Sequence, residues 1–457
     1  MSNRPGGRWG LRAVAIVACL APPTAIGGVG AWTSGGPPGQ VSALATDPRS
    51  AAVLYAGAFQ GPLRDVYKSL DGGRNWTPTG LSQQTASLAV TFSGTVLAGG
   101  FEGPDFISMD GGSTWRQVRP AHPGSATLFF RLDPRTPSVI YAGVAHTMTT
   151  VGDPGGELLK SSDGGETWIN IQNFQNGLGF GTIGDLVIDP QDVATLYTVI
   201  PAGFYRSRNA GASWTRLENG LPTPILTTLE IDPSAPNVIY AGNGLGVFKS
   251  YDSGNTFSRI ATGLPASGVW DLLTNPKDPL SIYAATREAG VYASRDGGAT
   301  WTAFNVGLTN LSVFDLSIDA TATLLHVSTG AGVFDYQLDP NDTALVLNPN
   351  HRFAVRLDAH DPRTGNTGGG RAIALGDLAG YFSIPSLTLS TDSPEVIVKL
   401  VDGRAINGAW WVFHGALTDL EYTLTVTEEA TGRVKSYFKE AGSACGGFDT
   451  SAFPSSP

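Results

Sequence analysis

One eight-residue phrase, repeated six times before residue 302, constrains this 457-residue chain more than anything else in it. Its fullest form is Ser294-Arg295-Asp296-Gly297-Gly298-Ala299-Thr300-Trp301. Three further copies run from Ser69 through Asp71 to Trp76, from Ser108 through Asp110 to Trp115, and from Ser161 through Asp163 to Trp168. Two are worn: Ser207 to Trp214 has Asn209 in place of the acid, and Ser250 to Phe257 keeps Asp252 but closes on Phe. The closing aromatics are 39, 53, 46, 43 and 44 residues apart, a period that fits four short strands and their turns.

The chemistry of the phrase is that of a tight hairpin turn. A short acid accepts hydrogen bonds from nearby backbone N–H groups, and the glycines adopt the positive φ that the turn requires. The closing ring is expected to point back between the strands and anchor the turn, which is worth at most about 4 to 6 kcal/mol if the ring is fully buried. The acids Asp71, Asp110, Asp163, Asp252 and Asp296, with Trp76, Trp115, Trp168, Trp214 and Trp301, therefore read as structural.

At these residues the chain resembles the Asp-box, or bacterial neuraminidase repeat, with pattern S-x-D-x-G-x-T-W. The resemblance implies a β-propeller in which each box joins the two outer strands of a blade, as in sialidases, xyloglucanases, sortilin-type receptors and photosystem-assembly propellers. A second repeated feature marks the blades: an inner strand ending in Asp-Pro, then a strand ending near Tyr-Ala-Gly, as in Leu229 to Pro233 and Val238 to Gly242. Aligning the inner strands stacks Leu44, Leu88, Phe130, Leu186, Leu229, Leu272 and Leu316 in one column, which predicts seven blades. The seventh has no box after it. Ala31-Trp32-Thr33 mirrors Ser213-Trp214-Thr215, so the N-terminal strand is expected to complete the last blade and close the ring.

The expected organisation is an export signal over 1–30, the propeller over 31–338 and a β-sandwich over 339–457. Arg4, Arg8 and Arg12 precede the apolar run Ala13 to Ala21, which is too short to span a bilayer, and nothing later qualifies. The mature chain is thus expected to be secreted or extracytoplasmic, with no transmembrane segment after signal removal. Ile16-Val17-Ala18-Cys19 loosely fits the pattern ahead of a lipid-modified cysteine, which would make Cys19 an anchor. With 59 glycines, 30 prolines and 15% charged residues the composition suits an exported all-β protein, and a net charge of -10 argues against nucleic acid as a partner. Signal removal would leave Cys445 as the sole cysteine, so no internal disulfide is expected.

Beyond Asp339 the repeat stops and strand candidates appear at 352–357, 381–384, 396–401, 410–413, 422–427 and 433–437. This region resembles a C-terminal module attached to assorted secreted bacterial proteins, although Val346 stands where that module would have a cysteine. The run Thr367-Gly368-Gly369-Gly370 follows no strand-to-helix context and reads as a hairpin loop, not a phosphate cradle.

Candidate chemistry lies away from the boxes. One residue ahead of the core column stand Ala43, Ser87, Phe129, Asp185, Thr228, Asp271 and Asp315. Asp185, Asp271 and Asp315 could converge at the channel mouth, there to hold a cation or to supply acid and base for glycoside cleavage. The alternative is that each Asp caps backbone in its own blade or meets channel water. Glu102, Asp105, His146, Asp153, Glu157, Arg287 and Glu288 are loop candidates for a binding surface. His146 has no second His at ligand spacing, so no metal is expected, and no cofactor motif occurs.

The sialidase signature cannot be assigned to this chain, and the xyloglucanases pair two rings where only one is present. The resemblance to sortilin-type and photosystem-assembly propellers points to a non-catalytic ring that binds a protein, peptide or glycan through its loop face. A glycan-active hydrolase using Asp185, Asp271 or Asp315 is the alternative. A third reading gives the binding to the C-terminal unit, with Trp410, Trp411 and His414 as a sugar platform.

Overall fold

The computed structural model describes residues 31–59, 64–120, 124–146, 155–172, 176–178, 181–217, 221, 228–338, 345–347, 353–376, 378–388, 393–428, 433–442 and 446–454. Residues 1–30, read above as an export signal and including Cys19, lie outside these residues, as do Asp153 and Cys445. Seven four-stranded antiparallel sheets succeed one another from residue 33 to 337, and the fold is a β-propeller. In the first blade the strands are Val41–Asp47, Ser50–Ala58, Val66–Ser69 and Thr77–Pro78, ordered from the channel outward. Each inner strand packs on the inner strands of its neighbours, the last on the first. The column from Leu44 to Leu316 is buried throughout, with no member more than 8% exposed.

The ring closes as the repeat requires. Strand Thr33–Ser34 pairs antiparallel with Gly332–Gln337, Thr33 facing Asp335, and becomes the outer strand of the last blade. Trp32 takes the place of a box tryptophan there: it is buried, its indole N–H donates to Phe304 O, and its backbone N–H donates to Val306 O at 2.7 Å. Trp214 N–H to Asn176 O and Trp301 N–H to Thr262 O repeat that backbone bond in other blades. In all three the next residue along the accepting loop is a glycine, Gly177, Gly263 or Gly307, with φ near +88° and a phantom Cβ within 2.4 Å of the tryptophan carbonyl. No side chain fits there.

The repeated turn keeps one hydrogen-bond pattern in all six copies. The serine hydroxyl donates to the acid and accepts the N–H of the residue four positions on, as with Ser108, Asp110 and Gly112. The acid accepts the N–H and hydroxyl of the threonine, at 2.8 and 2.6 Å for Thr114. Asn209 keeps the first bond, accepting Ser213 N–H, but reverses the second, its Nδ2 donating to Ser213 Oγ. The rings are less uniform than expected. Trp214 and Trp301 are buried, whereas Trp76, Trp115 and Trp168 remain partly exposed. The full burial value therefore applies to only two of the five tryptophans.

The C-terminal unit is a sandwich of two five-stranded sheets. One contains Leu345–Leu347, Phe353–Asp361, Asn366–Gly369, Glu421–Glu428 and Arg433–Lys439; the other contains Arg371–Gly376, Ala379–Ser383, Val396–Gly403, Ala409–Ala416 and Gly447–Pro454. The glycine run is thus corrected: Thr367 to Gly369 form strand, not loop, pairing with His360 to Asp358. Glycine suits this strand because a Cβ at Gly368 would strike Ser386 Oγ. The sandwich is fastened to the sixth blade by Arg356, whose guanidinium reaches Asp278 at 2.5 Å, Ser281 at 2.9 Å and Arg295 O at 2.6 Å. Asp278 follows the inner strand Val269–Asn275, so this joint lies at the far end of the channel from Asp271.

Candidate functional site at the channel mouth

The channel wall begins with strand alternation. Residues one before and one after each column residue face the channel, since side chains alternate along a strand. Among the described residues, every seam between neighbouring inner strands is stitched by a side chain bonding to backbone, six of them at these positions and the seventh, Ser42, two residues before Leu44 at a bulge. Ser42 donates to Thr85 O, Ser87 to Thr127 O and Arg131 to Leu186 O. Asp185 accepts Leu229 N–H at 2.8 Å, Glu230 accepts Thr274 N–H at 2.9 Å, Asp271 accepts Leu316 N–H at 2.9 Å, and Asp315 accepts Leu44 N–H at 2.7 Å. Asp185, Asp271 and Asp315 do come together, and each spends a carboxylate oxygen on the amide of the next blade.

Their electrostatics follow from crowding. Burial raises Asp185 above the ordinary carboxylate range against the opposing pull of Arg131, whose Nη2 lies 2.7 Å away. Asp271 is raised by burial, and Asp315 is raised well above its usual value by burial and by the neighbouring Asp271. Burial pushes Glu230 up to about 7. Burial alone would lower Arg131, but the surrounding Asp185, Asp271, Glu230 and Asp315 outweigh it and raise it. The box acids behave in the opposite way: Asp110 and Asp163 sit in solvent and are held down at about 2, first by the hydroxyls of Thr114 and Thr167. Among the described residues no group of three or more His, Cys, Asp or Glu is arranged to hold a metal ion.

Above these groups the mouth opens into a cavity of about 680 Å³. Five inner strands carry a register shift just ahead of the column, which leaves Ser42, Ala86, Leu128, Trp270 and Phe314 as extra residues. A bulge re-aims a side chain that regular alternation would bury. Here it sends Leu128, Trp270 and Phe314 into the cavity, beside Phe59 and Phe101 from the ends of second strands. Phe101 and Leu128 are each 39% exposed and Trp270 36%. Phe59 meets Phe101 edge-on at 5.0 Å, and Trp270 lies 5.2 Å from Phe314.

The loop candidates divide. Asp105 is buried, accepting Gly100 N–H and pairing with Arg119 at 2.7 Å. Glu157 lies 3.5 Å from Arg119 and 3.7 Å from His146, so these four residues form one ionic network joining the second and third blades. Glu102 is exposed at φ 55°, while Arg287 and Glu288 lie 4.0 Å apart in solvent. Trp410, Trp411 and His414 do not share a face: Trp410 is in the sandwich core, Trp411 points outward to Asn407, and His414 packs on Tyr437. Sequence reasoning missed the aromatic rim because a bulge leaves no mark in a run such as Gly268 to Leu272. It also missed Arg131 and Glu230, though their charge, one residue after the column in otherwise apolar strands, was a legible signal.

No family model matches the chain. A probable oligoxyloglucan-reducing end-specific xyloglucanase of Neosartorya fischeri is 30% identical over 122 residues, covering 24% of this chain. The chain spans only 14% of that curated relative. Among solved structures, YCF48 bound to D1 peptide matches 67% of this chain and 97% of its own with 15% identity and a TM-score of 0.50. The GH74 enzyme of Niastella koreensis matches 87% of this chain and 65% of its own with 21% identity and a TM-score of 0.50. An ancestral GH74 enzyme covers 89% and 63% with 14% identity and a TM-score of 0.52. These likenesses show the fold, a β-propeller, and no helix among the described residues is long and apolar enough to cross a membrane.

Proposed function

We propose that the chain is an exported, single-ring Asp-box propeller that captures a partner at its channel mouth without turning it over, with a protein or peptide segment as the first ligand to test and a glycan as the second. The observation that supports this most is the commitment of the mouth carboxylates: Asp185, Asp271 and Asp315 each hold a backbone amide of the adjacent blade. A glycosidase needs two carboxyl groups free to act about 5 to 10 Å apart around the scissile bond, and these are engaged by backbone. The exposed rim of Phe101, Leu128 and Trp270 is the kind of apolar patch that marks an interaction site. The likeness to YCF48 in a peptide complex agrees with this reading.

The hydrolase reading is the alternative, and one distance favours it. Thr228 Oγ1 lies 3.5 Å from Asp185 and 3.4 Å from Asp271, so oxygens of these two acids are no more than about 7 Å apart. Against it, the threonine hydroxyl occupies the gap where a glycosidic oxygen would stand. A screen of the purified chain against peptides, xyloglucan oligosaccharides and other glycosides, scored for binding and for product release, separates the two. Binding without product, weakened at least tenfold by Trp270→Ala, is expected. Product release that vanishes in Asp185→Asn or Asp271→Asn would replace capture with hydrolysis.

A further inference from the structure

The mouth has a charge imbalance that its own residues do not answer. Four carboxylates, Asp185, Glu230, Asp271 and Asp315, surround one guanidinium, that of Arg131. Arg131 is paired with Asp185. Asp271 and Asp315 make no ion pair among the described residues and line the same cavity, where burial and the neighbouring Asp271 raise Asp315. Directly ahead of them in sequence, and above them in the cavity, stand Trp270 and Phe314. The face of an aromatic ring attracts a cation, and Trp270 already takes the guanidinium of Arg287 at 5.8 Å. A neutral sugar could stack on these rings but would leave the negative floor unanswered.

We infer that the mouth recognises an extended peptide through one basic side chain, arginine or lysine, which passes between Trp270 and Phe314 and ends on Asp271 and Asp315. This rests on the capture reading and adds the chemistry of the partner. The apolar rim takes the stem of the side chain and its flanking residues, and the carboxylate pair takes the charge. Charge-assisted bonds to a pair of carboxylates screened from bulk water are stronger than those at an open surface.

The test uses the full chain and three acetylated, amidated tripeptides, Phe-Arg-Phe, Phe-citrulline-Phe and Phe-Glu-Phe, titrated calorimetrically. The arginine peptide should bind at least tenfold more tightly than its isosteric neutral counterpart, and the glutamate peptide most weakly. Asp315→Asn should cut that preference below threefold, and because the Asn keeps an oxygen for the Leu44 amide, the unfolding midpoint should move little; Asp271→Asn should cut it likewise but lower the midpoint, since both Asp271 oxygens accept backbone amides, of Leu272 and Leu316. Trp270→Ala provides a second variant outside the carboxylate pair and should weaken the arginine peptide severalfold. Equal affinity for the arginine and citrulline peptides would overturn this inference and leave capture standing. Binding of xyloglucan oligosaccharides, with none of the three peptides bound, would overturn the inference and the peptide form of the capture reading together.

Discussion

Aspartate serves two rings of this propeller in opposite ways. On the turn face, the box acids are closed into their own hairpins, bonded to a serine and a threonine a few residues away. On the channel, Asp185, Asp271 and Asp315 reach across seams to residues 44, 45 and 271 positions distant. Solvent and local hydroxyls hold the first kind ionised, while crowding raises the second kind. The conspicuous motif therefore builds the blades, and the inconspicuous carboxylates hold the blades to one another and give the mouth its charge.

The largest break in this arrangement is to leave the ring open. Deleting residues 31–40 removes Trp32 and the strand that closes the last blade, and should cost 5 kcal/mol or more, roughly the loss expected for a buried tryptophan plus its ladder bonds. An unchanged midpoint in denaturant would mean that closure contributes nothing. Next comes the contrast between the rings. Asp315→Ala leaves Leu44 N–H buried and unpaired and should destabilise by about 2 to 3 kcal/mol, against about 1 kcal/mol for Asp296→Ala, whose hairpin amides can turn to water. Equal losses would erase the distinction between stitch and turn.

The two rings should also respond to pH with opposite sign. Glu230 has a folded value raised from 4.5 to about 7, so the stability it contributes is fully present below about 4.5 and is lost as pH rises through about 7. Glu230→Gln, which keeps the oxygen facing Thr274, should flatten the stability profile across that window by about 2 kcal/mol. Asp110 and Asp163 are depressed, so their contribution is present above about 3.8 and is lost as pH falls through about 2. Asp163→Asn should flatten only the acid end. Denaturant midpoints from pH 2 to 8 check both, and a profile unchanged in the Gln variant would remove Glu230 from the raised group.

The smallest effect lies in the worn turns. Ala210 and Ser253 hold φ of 54° and 59° where intact copies have glycine. Ala210→Gly and Ser253→Gly should each stabilise by about 0.5 to 1 kcal/mol, the relief of left-handed backbone set against glycine's greater freedom when unfolded. A loss of stability in both would show that the neighbouring blades, not the turn residue, set this conformation.

The ring's repeat, its seven inner strands, the N-terminal closure and the all-β sandwich were legible in the chain by itself, because turn chemistry and burial are local or periodic properties. Serine, acid, glycine and threonine within eight residues make the same hydrogen bonds wherever they occur, and the leucine column records burial at a fixed offset. The candidate site was half legible: the offset pointed to Asp185, Asp271 and Asp315, but what each acid bonds lies a whole blade or the whole ring away. Tertiary structure alone decided that they stitch seams, that Asp271 and Asp315 meet in one crowded cavity, and that bulges turn Trp270 and Phe314 into the mouth. The physical reason is that a bulge is a relation between two strands and a raised acid is a relation to everything around it, and neither is a property of the residue that carries it.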